Sequence, residues 1–272
     1  MKKIATLLAI TLFAFVSKSN AQSVIENINS TLENYIDGTE KGEPDRVRKA
    51  FHEDFQLYLI SADTLRIISG SQYISNIEKG RKYNRKGRVV SIDYENNAAA
   101  AKVEVYFPET NRLATDYLLL LKTFDGWKIL HKIINVTVKD EQDLTALPRE
   151  NEIHNIEKTL LDYMEGTAKS DSDRIESAFW DGLNLYSVKD GAVSKITREK
   201  YLGFFSNDKQ YRRIGKILSI DYEKDAALAK LEIKMPEHDR IAIDYMLLLK
   251  IRGSWKVIHK SFTDKDFKLN SN

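Results

Sequence analysis

The chain has 272 residues, 42 Lys and Arg against 40 Asp and Glu, a formal charge of +2, 30% charged and 42% hydrophobic residues, and no cysteine. This is the composition of ordinary globular protein, and the length suits two domains of roughly 110–130 residues, each able to bury its own core. A near-neutral chain gives no electrostatic reason to expect nucleic acid as a partner, and the lack of cysteine excludes disulfides, thiol nucleophiles, thiolate metal sites and a lipid-bearing cysteine.

Residues 1–21 read as a secretory signal: Lys2 and Lys3, an apolar run from Ile4 to Val16, then Ser19-Asn20-Ala21 as the small-residue cleavage pattern. The apolar run falls short of the about 20 residues that span a bilayer. Cleavage after Ala21 removes Lys2, Lys3 and Lys18 and no acid, so the formal charge goes from +2 to −1. The expectation is a soluble exported protein, periplasmic or secreted, bacterial in the style of its signal, with no membrane attachment once the signal is gone.

Ser23 to Lys41 carries Ile25, Ile28, Leu32, Tyr35 and Ile36 at helical spacing and is predicted to be an amphipathic helix. Gly38 and Gly42 weaken its end, and Pro44 suits the first turn of a second, short helix with Val47, Ala50 and Phe51. Gln56 to Ser61 and Thr64 to Ser69 read as a pair of strands, and Ser71 to Lys79 as a third helix with Tyr73, Ile74 and Ile77 inward. A meander follows: Arg85 to Tyr94, Ala98 to Phe107, Leu113 to Lys122 and Trp127 to Ile134. In it, Val90, Ile92 and Tyr94 are predicted to share one face, and Trp127, Ile129, His131 and Ile133 another. Phe124-Asp125-Gly126 is the last turn, its Gly suited to a left-handed position.

The order then repeats. Ser91 to Asn135 returns as Ser219 to Thr263 without a gap, Trp127 matching Trp255, His131 matching His259 and Pro108 matching Pro236. Roughly half of the aligned positions are identical, and a unit of this length is a duplicated domain rather than a solenoid repeat. The predicted organisation is a first copy over 23–138, a charged linker over 139–151 containing Pro148, a second copy over 152–266, and a polar tail. Since each copy holds every element, each is expected to fold as its own cooperative unit.

The order of elements, Tyr35 and Gly38 in the first helix, Ala50-Phe51-His52-Glu53-Asp54, Asp116-Tyr117 with the leucines that follow, and Gly126-Trp127-Lys128-Ile129-Leu130-His131-Lys132 resemble the nuclear transport factor 2-like (ketosteroid isomerase-like) superfamily. Within it the chain is most similar to the putative lumazine-binding family, and Tyr163, Gly166, Ala178-Phe179, Asp244-Tyr245 and Trp255 to Lys260 carry the same resemblance in the second copy. The resemblance implies an α+β fold: tandem cone-shaped domains, each of three N-terminal helices packed on a curved antiparallel sheet. It does not fix function, because the superfamily hosts isomerases, dehydratases, hydrolases and binding modules. It also implies pairing through the sheets, either as an intramolecular pseudo-dimer or between two chains. Leu118, Leu120 and Leu130, repeated as Met246, Leu248 and Ile258, are expected to form the apolar outer stripe for it.

Strand alternation from Trp127 puts His131 on the concave face with Tyr58 and Tyr117, joined by Tyr73 from the third helix; the second copy supplies Tyr186, Tyr201, Tyr245 and His259. Tyrosines around one histidine would make an apolar pocket for a small apolar or aromatic ligand. The alternatives are core histidines hydrogen-bonded within the fold, which weighs more, and tyrosines that simply fill the cones. By the same alternation Asp116 with Lys132, Asp244 with Lys260, Asp93 with Lys102 and Asp221 with Lys230 read as solvated cross-strand pairs. His52-Glu53-Asp54 is a poor metal cluster, since neighbours in an extended segment point apart and Trp180-Asp181-Gly182 replaces them in the second copy. Nothing calls for a cofactor: the sequence has no nucleophile motif and no Gly-rich phosphate loop. The functional expectation is an exported small-molecule-binding protein; the rivals are an isomerase, dehydratase or hydrolase using His131 or His259, and a structural module with filled cones.

Overall fold

The computed structural model describes residues 2–138, 149–205 and 209–265, with side chains from Gln22 onward in the first stretch and from Asn151 in the second. The linker expected over 139–151 lies outside the described residues up to 148, and the tail lies outside from 266. In the first copy α1 (Lys2–Lys41) and α2 (Pro44–Ala50) precede β1 (Phe51–Ser61) and β2 (Thr64–Ser69). Then come α3 (Gly70–Ser75), β3 (Lys86–Glu95), β4 (Ala98–Phe107), β5 (Arg112–Thr123) and β6 (Gly126–Val138). The second copy repeats this as α4 (Arg149–Lys169), α5 (Ser172–Ala178), β7 (Phe179–Lys189), β8 (Ala192–Thr197), α6 (Arg198–Gly203), β9 (Ile214–Glu223), β10 (Ala226–Met235), β11 (Arg240–Ile251) and β12 (Ser254–Asp264). The helix expected to start at Ser23 is continuous from Lys2, the strand expected from Gln56 starts at Phe51, and the third helix stops at Ser75.

Each copy is a six-stranded sheet, in the order β2-β1-β6-β5-β4-β3 and β8-β7-β12-β11-β10-β9. Both are antiparallel except where β1 meets β6, and β7 meets β12, in parallel. The β1–β2 hairpin turns on Ala62 and Asp63, with φ of 49° and 56°, the two left-handed residues of a tight turn that follows strand twist. Helix α1 lays Ile28, Leu32, Tyr35 and Ile36 on the inner face of the sheet, against Val103, Leu118, Leu120 and Ile129. Gly87 makes that approach possible, because a Cβ there would lie 2.5 Å from Ile36; Gly215 does the same beneath Met164.

Three kinds of core result. Each cone has one of its own, and a third lies between the copies, where the outer faces of the two sheets meet. Leu119, Leu121, Leu130 and Ile133 pack there on Leu247, Leu249 and Ile258. The copies therefore form an intramolecular pseudo-dimer through their sheets. The stripe expected to cover it is corrected in part: Leu130 and Ile258 belong to the interface, but Leu118, Leu120, Met246 and Leu248 point into the cones.

Two β-bulges cause this and the other reversals of face. In β6, Leu119 pairs with His131 but Leu120 pairs with Ile129, so Leu130 is an extra residue and alternation changes phase there. Trp127 and Ile129 face the cone; His131 and Ile133 face the other copy; Lys132 and Ile134 return to the cone. In β3 the extra residue is Val90, so Val89 joins Ile92 and Tyr94 in the core while Val90 is exposed. The second copy bulges at the equivalent Ile258 and again between Ser219 and Ile217. A single inserted residue flips everything after it to the opposite side of the sheet.

Candidate functional site

The phase change carries Lys132 into the first cone, where it meets Asp116 from β5 and Tyr35 from α1. Lys132 Nζ donates to Asp116 Oδ2 at 3.0 Å and to the Tyr35 hydroxyl at 2.7 Å, and Tyr35 donates to the same Oδ2 at 2.6 Å. The Lys132 and Asp116 side chains are 2% and 1% exposed. Lys260, Asp244 and Tyr163 repeat the triad at 2.7, 2.6 and 2.8 Å. The expected pairing of Asp116 with Lys132 and of Asp244 with Lys260 is thus present, but it is buried rather than solvated. Burial, with the neighbouring carboxylate second, pushes the Tyr35 and Tyr163 hydroxyls well above their ordinary range, so both remain donors. In each triad the second carboxylate oxygen, Asp116 Oδ1 or Asp244 Oδ1, is buried without a hydrogen-bond partner. An open acceptor at such depth favours any donor that can reach it.

Tyr73 from α3 lies where the sequence put it, on the cone side, its ring 5.3 Å from Lys132 Nζ. It also forms one wall of a cavity of about 200 Å³ at the cone mouth, with Thr39, Leu57, Ile68, Tyr83 and Arg85 among the other walls. Tyr201 is its counterpart in the second cone, with its hydroxyl 3.3 Å from that of Tyr163. Sequence reasoning set Tyr35 on the inner face of its helix but missed Asp116 and Lys132 as cone groups and did not single out Arg85 at the mouth. Their signal was the return of the whole group, as Tyr163, Asp244, Lys260 and Arg213.

The other six tyrosines and histidines do share one face, but it is the interface between the copies. His131 and His259 are fully buried and stack on each other, ring centroids 3.6 Å apart and 11° from parallel. Tyr58 stands 4.6 Å from His259, and Tyr186 4.8 Å from His131. No ring nitrogen of either histidine has a hydrogen-bond partner. Burial, then the facing His259, holds His131 well below its ordinary range, and burial takes His259 to about 3 against the opposing influence of the Asn184 backbone. Both rings are neutral at pH 7. Tyr117 donates to Asp221 at 2.7 Å, and Tyr245 donates to Asp93. Lys102 reaches Asp221 at 2.8 Å and Lys230 reaches Asp93, so the expected pairs within each copy are exchanged between copies. The His52-Glu53-Asp54 segment lies at the seam, on a cavity of about 480 Å³ closed on the other side by Val193 and Lys195.

The sequence matches the model of a family described as putative lumazine-binding twice, over residues 23–134 and 151–263. No curated protein matches it. Among solved structures, a nuclear transport factor 2-like protein of unknown function from Shewanella baltica is 23% identical over 45% of this chain and 100% of its own, with a TM-score of 0.42. A second such protein, from Methylobacillus flagellatus, is 26% identical over 42% of this chain and 91% of its own, with a TM-score of 0.38. A hexachlorocyclohexane dehydrochlorinase is 17% identical over 44% of this chain and 89% of its own, with a TM-score of 0.36.

Proposed function

The chain belongs to the putative lumazine-binding family, in two tandem copies, and we propose that it is an exported binding protein for a small molecule held in the cone rather than between the sheets. Export is supported by the basic, apolar and small-residue order of residues 1–21. The observation that carries the binding role is the cavity at the first cone mouth, which shares the Tyr73 wall with a buried triad whose carboxylate keeps one oxygen unpartnered. Apolar walls with a few convergent polar groups suit a compact ligand. The acid–base enzyme reading depended on His131 and His259, and these rings are sealed into the interface, away from both cones.

Native mass spectrometry of the protein purified without denaturation from its exported fraction tests the role, together with fluorescence titration of lumazine as the family's nominal ligand. A small molecule retained by the wild-type chain, and lost on filling the mouth with Ile77→Phe, is the expected result. A chain that carries nothing and binds no lumazine, or whose binding survives a filled mouth, overturns it.

A further inference from the structure

The two cones are not equivalent at their mouths, and the difference names a ligand class. We propose that the first cone alone binds one small carboxylate with a flat apolar body, and that Arg85 is its counter-charge; this rests on the cone being the binding compartment.

Among the described residues Arg85 is the only charged one lining the mouth cavity, whose other walls include Leu57, Ile68, Tyr73 and Tyr83. Its guanidinium rides over the rings of Phe107 at 4.9 Å and Tyr83 at 5.9 Å. Its Nε is buried and has no hydrogen-bond partner, and no carboxylate lies within ion-pair distance of it among the described residues. A buried N–H without an acceptor is costly, and a guanidinium offers its donors as a planar fork that fits a carboxylate with two parallel bonds. The cavity therefore presents a held, unpaired cation over aromatic walls. Its about 200 Å³ is below the range for drug-sized ligands, which limits the body to a ring or a short chain.

The second mouth keeps the same frame of Thr167, Leu185, Ile196, Tyr201, Tyr211 and Arg213 and differs where Asn76 and Ile77 become Phe204 and Phe205. Phe205 is 1% exposed and packs 5.2 Å from Tyr201 and 5.7 Å from Tyr211. Its ring lies 4.8 Å from the Arg213 guanidinium. The Phe205 side chain thus takes up the space that Ile77 leaves open in the first copy.

Full-length mature protein is titrated with benzoate and with benzamide, its neutral counterpart of nearly the same shape, and followed by amide chemical shifts. Benzoate is expected to bind once per chain, at least tenfold more tightly than benzamide, and Arg85→Gln is expected to remove that preference while leaving the benzamide affinity as in the wild type. Ile77→Phe, a residue the second copy already accommodates, is expected to abolish benzoate binding. Phe205→Ile is expected to add a second benzoate site. A benzoate affinity untouched by Arg85→Gln, or a wild-type stoichiometry of two, overturns the anion assignment or the asymmetry, while a lumazine or benzamide site that Ile77→Phe blocks leaves the cone itself standing. If benzoate, benzamide and lumazine all fail to bind, the cone reading fails and the inference with it.

Discussion

Two fully buried imidazoles stacked at 3.6 Å have a direct consequence in acid. The groups around them are the Tyr58 hydroxyl, Gln56, His52 and Asp54 from β1, Tyr186, Asn184 and Trp180 from β7, and Lys195 from β8, while Leu119 and Leu247 lie beside them in β5 and β11. None of their side chains is within hydrogen-bond distance of a ring nitrogen, and the Asn184 backbone only partly offsets the burial of His259. An unfolded histidine takes up a proton near pH 6.5, whereas the folded pair resists protonation until well below this, to about 3 for His259. Between those limits the unfolded state binds more protons, so stability is full above about pH 7.5 and falls as the pH drops through 6.5. The slope is about 1.4 kcal/mol per pH unit for each histidine. Urea unfolding between pH 7 and pH 5, where most carboxylates stay ionised, should show this decline, and His131→Phe with His259→Phe should flatten it while keeping the stacked rings. Equal pH dependence in both proteins would remove the histidines from the account. At this scale the sequence was legible in its pairings but not in its faces. Asp116 with Lys132 and Leu119 opposite His131 follow from hairpin register, whereas the side of the sheet depends on a bulge that no residue type at Leu130 announces.

The elements themselves were legible from apolar spacing, because α1 and the four meander strands of each copy obey helical and strand periods over many residues. What the period could not show was where a strand gains a residue, and β3 and β6 each gain one. A difference between the copies tests how far one helix depends on a single polar anchor. In the second copy Glu152 of α4 accepts from Trp255 Nε1 at 2.9 Å and from Lys250 at 2.6 Å. Burial works to raise its pKa, yet the Lys250 and Trp255 hydrogen bonds outweigh burial and leave the carboxyl below its ordinary range. The first copy has Val24 at the equivalent place, and Trp127 Nε1 is buried there without a partner. Glu152→Val should therefore cost about 1.5–3 kcal/mol, the range for losing hydrogen bonds to a charged group. Val24→Glu should return part of that to the first copy, where Lys122 stands in for Lys250. Chemical denaturation of the two variants decides it, and a neutral Glu152→Val would mean that the helix is held by its apolar stripe alone.

At the scale of the molecule, each cone has its own core, but neither copy is finished without the other. The outer face of the first sheet presents Tyr58, Tyr117, Leu119, Leu121, Leu130 and Ile133, all at most 2% exposed, and only the second copy covers them. The expectation of two self-sufficient units, natural when every element occurs twice, omits this third core. An isolated copy would expose a continuous apolar face, which a soluble monomer rarely tolerates. Because the copies are homologous along that face, the simplest cover is a second molecule of the same copy, placed by the same two-fold relation. The exchanged pairs favour this: Lys102 with Asp221 and Lys230 with Asp93 have the same pairing available in a dimer of either copy, as Lys102 with Asp93 or Lys230 with Asp221. Residues 22–138 and 149–272 produced separately are thus expected to sediment as dimers with concentration-dependent melting, while the mature full chain sediments as a monomer with a melting temperature independent of concentration. Asp93→Lys placed in the isolated first copy should weaken its dimer by setting two lysines against each other, and Lys102→Asp added to it should restore the dimer. Halves that remain monomeric and unfold cooperatively at the temperature of the whole chain would show that the shared core is not required for either cone.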